Sequence, residues 1–132
     1  LYTQQTFLAP KVKEVLDYLI KSYELGVISN GFATIQRTKI KNLGLESYFK
    51  YQIYSSQVGV MKPRPEIFLE AMREAQKAAH EICFVGDSYE YDILGAKRVG
   101  WKAILYAPDG QIGTGELADA VINDLGQLKE IF

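Results

Sequence analysis

The chain has 132 residues, of which 48% are hydrophobic and 23% are charged, and this balance is typical of one folded globular domain. Its 15 lysines and arginines are matched by 16 aspartates and glutamates, so no basic field exists that would attract a nucleic acid or an anionic membrane. No apolar run is long enough to span a bilayer and no signal peptide opens the chain, so we expect a cytoplasmic protein.

The first half of the chain predicts two helices and two strands. Apolar residues recur across residues 10–22 with the spacing of one helical face. An apolar run at residues 25–29 predicts a buried strand that stops at a Ser-Asn-Gly turn. A second helix is predicted over residues 32–43, where Gly44 can adopt the left-handed conformation that ends helices. Aromatic and β-branched residues at 51–55 favour the next strand.

The second half predicts three more helices and three more strands. A helix begins at Pro65, because proline fits the first turn of a helix, and its apolar face consists of Ile67, Phe68, Ala71, Met72 and Ala75. The remaining elements are a strand at 82–86, a helix at 89–99 ended by Gly100, strands at 102–106 and 120–122, and a helix at 124–131.

Alternation of short apolar strands with helices predicts an α/β fold. Right-handed crossovers place such strands in one parallel sheet with helices on both faces. We find no linker or internal repeat, so residues 1–132 are predicted to form a single domain. The one cysteine, Cys83, lies in an apolar run and is interpreted as a buried structural residue.

Ligands of open parallel sheets bind beyond the carboxyl ends of the strands, and three such positions carry polar groups. The first consists of Ser29, Asn30 and Gly31, which follow a predicted strand and precede a helix. A hydroxyl, an amide and backbone N–H groups at a helix N-terminus favour a phosphate site. The alternative is a helix cap and turn, for which the same residue types are common.

The second position is Lys62, which precedes Pro63 and lies shortly before the helix that begins at Pro65. A lysine restrained by neighbouring prolines can neutralise a phosphate and stabilise charge that develops on it. The alternative is an ordinary solvated lysine at the surface.

The third position is the loop after the strand at 82–86, where Asp87 and Asp92 lie close together. Two carboxylates on one loop repel each other unless a cation or a proton lies between them, and hard oxygen ligands suit Mg²⁺. The alternative is that Asp87 or Ser88 caps the following helix and Asp92 decorates its first turn.

Taken in this order, the three positions resemble the haloacid dehalogenase-like hydrolase superfamily. Its later motifs are a strand that ends in Ser or Thr, a lysine often followed by proline, and Gly-Asp-Ser-x-x-x-Asp. The resemblance implies a three-layer Rossmann-like core and a Mg²⁺-dependent phosphatase that hydrolyses a small phosphorylated metabolite through an aspartyl-phosphate.

The resemblance also implies a role for each matching residue. Ser29 would bind a phosphoryl oxygen together with backbone N–H groups around Asn30 and Gly31. Lys62 would pair with the nucleophile and the phosphate. Asp87 would ligate Mg²⁺ directly, and Asp92 would hold its water shell or complete the ligand set.

One part of the family pattern is missing, namely the Asp-x-Asp pair that supplies the nucleophile. No aspartate of the chain is followed two positions later by another. The family carries this pair on its first, central strand, often followed by a helical cap. Since the chain starts at Leu1 and its methionines are Met61 and Met72, we expect both to lie upstream and the chain alone to be inactive.

Absence of the first strand would leave the strands that end at Ser29 and Gly86 without their common neighbour. Unpaired buried N–H and C=O groups are costly. We therefore expect these two strands to pair directly, or a second copy of the chain or the missing N-terminal segment to fill the gap.

Two other functions remain open at this point. A dehalogenase of the same superfamily shares the aspartyl chemistry without a metal, but it lacks the acidic pair, so Gly86 and Asp87 favour a phosphatase. A non-catalytic binding module is supported by the missing nucleophile.

Overall fold

The computed structural model describes residues 2–3, 10–109 and 117–132, and its centre is a parallel sheet. The strands are β1 (Tyr2–Thr3), β2 (Leu25–Ser29), β3 (Phe49–Tyr54), β4 (Cys83–Gly86), β5 (Lys102–Tyr106) and β6 (Ala120–Ile122). They lie in the order β3-β2-β1-β4-β5-β6, and every neighbouring pair is parallel. The prediction of a parallel α/β sheet is therefore confirmed.

Helices connect the strands, as the sequence predicts. They are α1 (Val12–Leu19), α2 (Ala33–Asn42), α3 (Ser55–Val58), α4 (Pro65–Ala75), α5 (Leu94–Arg98) and α6 (Leu128–Ile131). Gly44 follows α2 with a φ of 71°, which confirms the predicted left-handed end. The helix predicted at 89–99 begins as a π-helical turn at Tyr89–Ile93, and α3 was not predicted.

Successive residues of the buried strands alternate between two cores, because side chains of a strand point to opposite faces of the sheet. Val27 and Val85 belong to a core formed with α1, α2 and α6. Ile28 and Phe84 belong to a second core formed with α4 and α5. Helices thus cover both faces of the sheet, which confirms the three-layer architecture.

The expectation that the strands ending at Ser29 and Gly86 lack a common neighbour is wrong. Residues Tyr2–Thr3 lie between β2 and β4 and pair with Gly26 and Val27 on one side and with Phe84 and Val85 on the other. Neither direct pairing of β2 with β4 nor a second copy of the chain is needed, because the chain itself supplies a partner for buried backbone groups.

No helix among the described residues has the length and apolar character needed to cross a membrane.

Candidate functional site

Lys62 is buried at the carboxyl end of the sheet. Its side chain is 2% exposed, and it lies in the loop before α4, where the Lys62–Pro63 peptide bond is cis. Nζ donates to Asp92 Oδ1 at 2.7 Å and to the carbonyl oxygen of Ile28 at 3.2 Å, and it lies 5.3 Å from the centre of the Phe84 ring. The alternative of a solvated surface lysine is therefore wrong.

Asp92 is fully buried, and both of its carboxylate oxygens accept hydrogen bonds. Oδ1 accepts from Lys62, and Oδ2 accepts from the backbone N–H of Ser88 at 3.1 Å. Gly86 makes room for this side chain, since a Cβ on Gly86 would overlap the Asp92 carboxylate. Asp92 is therefore an internal anchor of the loop after β4 and does not decorate a helix surface.

Burial disfavours charge on both members of this pair. Desolvation lowers the pKa of the Lys62 ammonium, while attraction to Asp92 opposes that shift. Desolvation likewise raises the pKa of the Asp92 carboxyl against the attraction of Lys62. An anion bound beside Lys62 would favour its charged form, so the site is suited to gain a negative ligand.

Asn30 fastens the loop after β2 to the backbone of Lys62. Its Oδ1 accepts from the Lys62 N–H at 2.7 Å, and its Nδ2 donates to the Lys62 carbonyl oxygen at 3.1 Å. Ser29 is fully buried and lies between Ile28 and Asn30, which both contact Lys62. These contacts hold the loop after β2 and the loop that carries Lys62 in fixed positions relative to each other.

The N-terminus of α2 is capped from another element. The N–H of Ala33 donates to Ser56 Oγ at 2.9 Å, and the capping position itself is held by Phe32. Phe32 thus occupies the cap position in place of Ser29 and Asn30, so the helix-cap part of the alternative interpretation is wrong. Sequence reasoning missed Ser56, whose only signal is a hydroxyl that directly follows a predicted strand.

Asp87 is the exposed acidic residue of the site. It follows β4 directly, and its charge acts on both Lys62 and Asp92. The neighbouring Ser88 caps the π-helical turn, because its Oγ accepts from the N–H of Tyr91 at 3.2 Å. Asp87 also lines a pocket of about 220 Å³ together with Asp109.

The structure thus brings the predicted site residues to one rim of the sheet. Lys62 is in direct contact with Asn30 and with Asp92, Ser29 precedes Asn30 in the chain, and Asp87 lies on the loop that Asp92 anchors. Gly31 packs beside Gln36, a buried residue that the sequence did not single out and whose Oε1 has no hydrogen-bond partner within residues 2–3, 10–109 and 117–132.

Candidate metal ligands are few among the described residues of the site. No group of three His, Cys, Asp or Glu residues that could hold a metal ion exists in residues 2–3, 10–109 and 117–132. The exposed carboxylate of Asp87 suits Mg²⁺, which proteins commonly bind through one or two carboxylates together with substrate phosphates and water.

Comparisons with known proteins point to one family. The model of haloacid dehalogenase-like hydrolases matches residues 2–106. A glyceraldehyde 3-phosphate phosphatase of Methanothermobacter thermautotrophicus is 37% identical over 89% of this chain and 54% of its own length.

Two solved structures share the fold. An HAD phosphatase from Thermococcus onnurineus is 34% identical with a TM-score of 0.86, over 92% of this chain and 56% of its own. A 2-haloacid dehalogenase from Pseudomonas syringae is 40% identical with a TM-score of 0.83, over 92% of this chain and 51% of its own. The chain therefore spans about half the length of these relatives.

Proposed function

Because the chain belongs to the haloacid dehalogenase-like hydrolase family, we propose that it is the phosphate-binding part of a Mg²⁺-dependent phosphohydrolase that acts on a small phosphate ester. The observation that carries this proposal is the contact of Lys62 with the loop after β2 and with Asp92. A buried cation beside a loop rich in hydrogen-bond donors is suited to a phosphoryl group.

The loop after β2 and Lys62 would together bind the phosphate. The hydroxyl of Ser29 and the backbone N–H groups of Asn30 and Gly31 would donate to the phosphoryl oxygens. The ammonium of Lys62 would supply the positive charge, and the Asn30 clamp, the two hydrogen bonds between the Asn30 side chain and the Lys62 backbone, holds the Lys62 backbone against the loop. Donors fixed in advance stabilise charge that develops during the reaction without reorganisation.

The two aspartates would have different roles at the metal. Asp87 would be the direct ligand, because its carboxylate is exposed. Asp92 would act mainly through its bonds to Lys62 and Ser88, which orient the cation and the loop that carries Asp87. Mg²⁺ bound there would neutralise charge on the phosphate.

The nucleophile does not come from a matching motif in this chain. No Asp-x-Asp pair occurs in its sequence, so the family's aspartyl-phosphate chemistry requires a segment supplied from elsewhere. We therefore assign hydrolysis to the intact protein and expect no turnover by these 132 residues alone.

Joining a strand that carries Asp-x-Asp to the chain tests this function. We expect the joined protein to release phosphate from glyceraldehyde 3-phosphate or a similar ester only when Mg²⁺ is present. Asp87→Asn should lower kcat/KM by about 100-fold or more, since a lost metal ligand removes several kcal/mol of charge stabilisation. Glu90→Gln, which changes an exposed carboxylate on the same loop, should leave kcat/KM unchanged. Full activity of Asp87→Asn would remove the metal role of Asp87.

A metal-independent dehalogenase is the second candidate, because a solved structure 40% identical to the chain carries that name. The same joined protein distinguishes the two reactions. Release of halide from a 2-haloacid after removal of Mg²⁺ with a chelator, without release of phosphate, would replace the phosphatase proposal.

A further inference from the structure

Gln36 is a buried polar residue in the first turn of α2, next to the loop that follows β2. It is 7% exposed, and its Oε1 finds no hydrogen-bond partner among the residues that the structure describes. Its backbone N–H donates to the carbonyl oxygen of Phe32 at 3.1 Å, so the residue is fixed within the helix. A buried carbonyl oxygen without a donor lowers stability, so a role in function is the natural place to look for its explanation.

The Gln36 side chain occupies a position that helices commonly give to an apolar residue. Phe32 holds the cap position of α2, Gly31 precedes it, and Gln36 is the fourth residue of the helix. Residues before the cap and fourth in the helix often pack together as a hydrophobic staple. A methionine or a leucine would fill the same space without burying an amide. Packing alone therefore does not explain why an amide is present here.

The carboxamide of Gln36 lies against Gly31. A Cβ added to Gly31 would come within 3.0 Å of Gln36 Nε2 and within 3.4 Å of Gln36 Cγ. Glycine thus lets the amide reach the backbone of the loop. Because Nε2 is the atom nearest to that Cβ position, the N–H end of the amide is turned toward Gly31.

Gly31 is also held through its carbonyl oxygen. This oxygen accepts from the N–H of Ser56 at 3.4 Å and from Ser55 Oγ at 3.5 Å. The preceding residue, Asn30, is hydrogen-bonded to the backbone of Lys62. Helix α3, the Lys62 segment and Gln36 thus all support the loop that is proposed to bind phosphate. Movement of the Gln36 side chain would change the direction in which the N–H groups of this loop point.

Negative charge on a bound ligand would favour the observed orientation of the Gln36 amide. The N–H end of an amide carries partial positive charge, and a dipole that is fixed in place stabilises a negative group without reorganisation. The N-terminus of α2 adds partial positive charge at the same loop. The buried Oε1 lowers stability when no anion is bound, and a bound anion offsets that loss through the opposite end of the same amide.

We propose that Gln36 is a positioning residue of the phosphate site, whose carboxamide holds Gly31 in place and turns its N–H end toward an anion bound at the loop after β2. This role rests on the proposed function, since the anion is the phosphoryl group of the substrate. Gln36 acts through the loop and is assigned no contact with the reacting atoms.

Phosphate titration of the isotope-labelled chain tests this role by nuclear magnetic resonance. Inorganic phosphate is added at constant ionic strength, with chloride as the comparison. We expect saturable shifts of the backbone amide signal of Gly31 and of the side-chain amide signals of Gln36 with phosphate only. The side-chain amide signals of Gln52 should not shift, because Gln52 Oε1 already accepts from the Tyr54 hydroxyl at 2.8 Å.

Gln36→Met removes the amide and keeps an unbranched side chain of similar length. We expect phosphate affinity to fall roughly tenfold, because a dipole that favours the anion is lost. The urea midpoint should stay equal or rise, since the buried oxygen is gone. Gln36→Leu is a second apolar variant that should change affinity and midpoint in the same directions, with circular dichroism to verify folding.

Gln52→Met is the matched control, because it makes the same change at an amide that has a partner. It should lower the urea midpoint, since the buried Tyr54 hydroxyl loses its acceptor. Phosphate affinity should be the same as in the parent.

The outcomes separate the role of Gln36 from the proposed function. Equal phosphate affinity in the parent and in both apolar Gln36 variants would overturn the role of Gln36 and leave the proposed function intact. A lower urea midpoint in both variants would also overturn that role, because the amide would then stabilise the fold without an anion. Absence of saturable phosphate binding by the parent would overturn both the role of Gln36 and the phosphate site of the proposed function.

Discussion

Lys62 and Asp92 form an ion pair whose two side chains are 2% and 0% exposed, whereas the other ion pairs of the described residues are far more accessible. An intact buried pair contributes little net stability, because desolvation of both charges offsets their attraction. Loss of one partner is a different matter, since it leaves the other charge buried without compensation.

Lys62→Met should lower the free energy of unfolding by about 3–5 kcal/mol, because it leaves the buried Asp92 carboxylate without a cation beside it. Urea denaturation followed by circular dichroism measures this change. Arg64→Met is the matched control: Arg64 pairs with Glu66 while exposed, so its loss should cost less than about 1 kcal/mol. Equal losses in the two variants would show that Asp92 is solvated or repartnered when Lys62 is absent.

The candidate site illustrates what a sequence predicts at the level of single residues. The types of residue at the strand ends identified Ser29, Lys62 and Asp87 as candidates. The sequence could not predict that Lys62 bonds to Asp92, because the two are 30 positions apart and their contact depends on tertiary packing. The Asn30 clamp on Lys62 escaped prediction for the same reason, since 32 positions separate them.

Secondary structure elements were predictable where an apolar pattern was strong. Strand β5 at Lys102–Tyr106 and helix α4 from Pro65 match their predictions because burial imposes clear periodicity. β1 escaped prediction, since a two-residue strand has no period and depends on neighbours distant in sequence. The π-helical turn at Tyr89–Ile93 also escaped, because five residues cannot distinguish a π turn from an α turn.

Helix α2 depends on a neighbouring element for its first turn. Ser56 of α3 accepts a hydrogen bond from the N–H of Ala33, so the cap also fastens α3 to the first turn of α2. Ser56→Ala should lower the free energy of unfolding by about 1 kcal/mol, the usual cost of a lost cap. Urea denaturation is the measurement. Ser47→Ala, at an exposed hydroxyl outside α2, should stay within about 0.5 kcal/mol of the parent, and an equal loss there would contradict the capping role.

At the scale of the whole molecule, the free energy of unfolding should depend on pH through Cys83, the only cysteine. It lies in β4, next to the centre of the sheet, with 8% of its surface exposed. Burial raises the pKa of its thiol to about 12, well above that of a thiol in an unfolded chain. The folded state therefore keeps the proton at a pH where the unfolded chain releases it.

The difference between the folded and unfolded pKa of Cys83 determines whether the free energy of unfolding rises or falls with pH. Because the folded-state pKa is raised, the stabilisation is fully present below the pKa of the unfolded thiol and is lost as pH rises toward 12. With an unfolded pKa of about 8.5, the free energy of unfolding should fall by about 2 kcal/mol between roughly pH 8 and pH 10 on account of Cys83 alone. Urea denaturation of the parent and of Cys83→Ala at both pH values isolates this part, since tyrosines and lysines titrate alike in both proteins. Parallel pH dependences would mean that the Cys83 thiol ionises as readily in the folded sheet as in the unfolded chain.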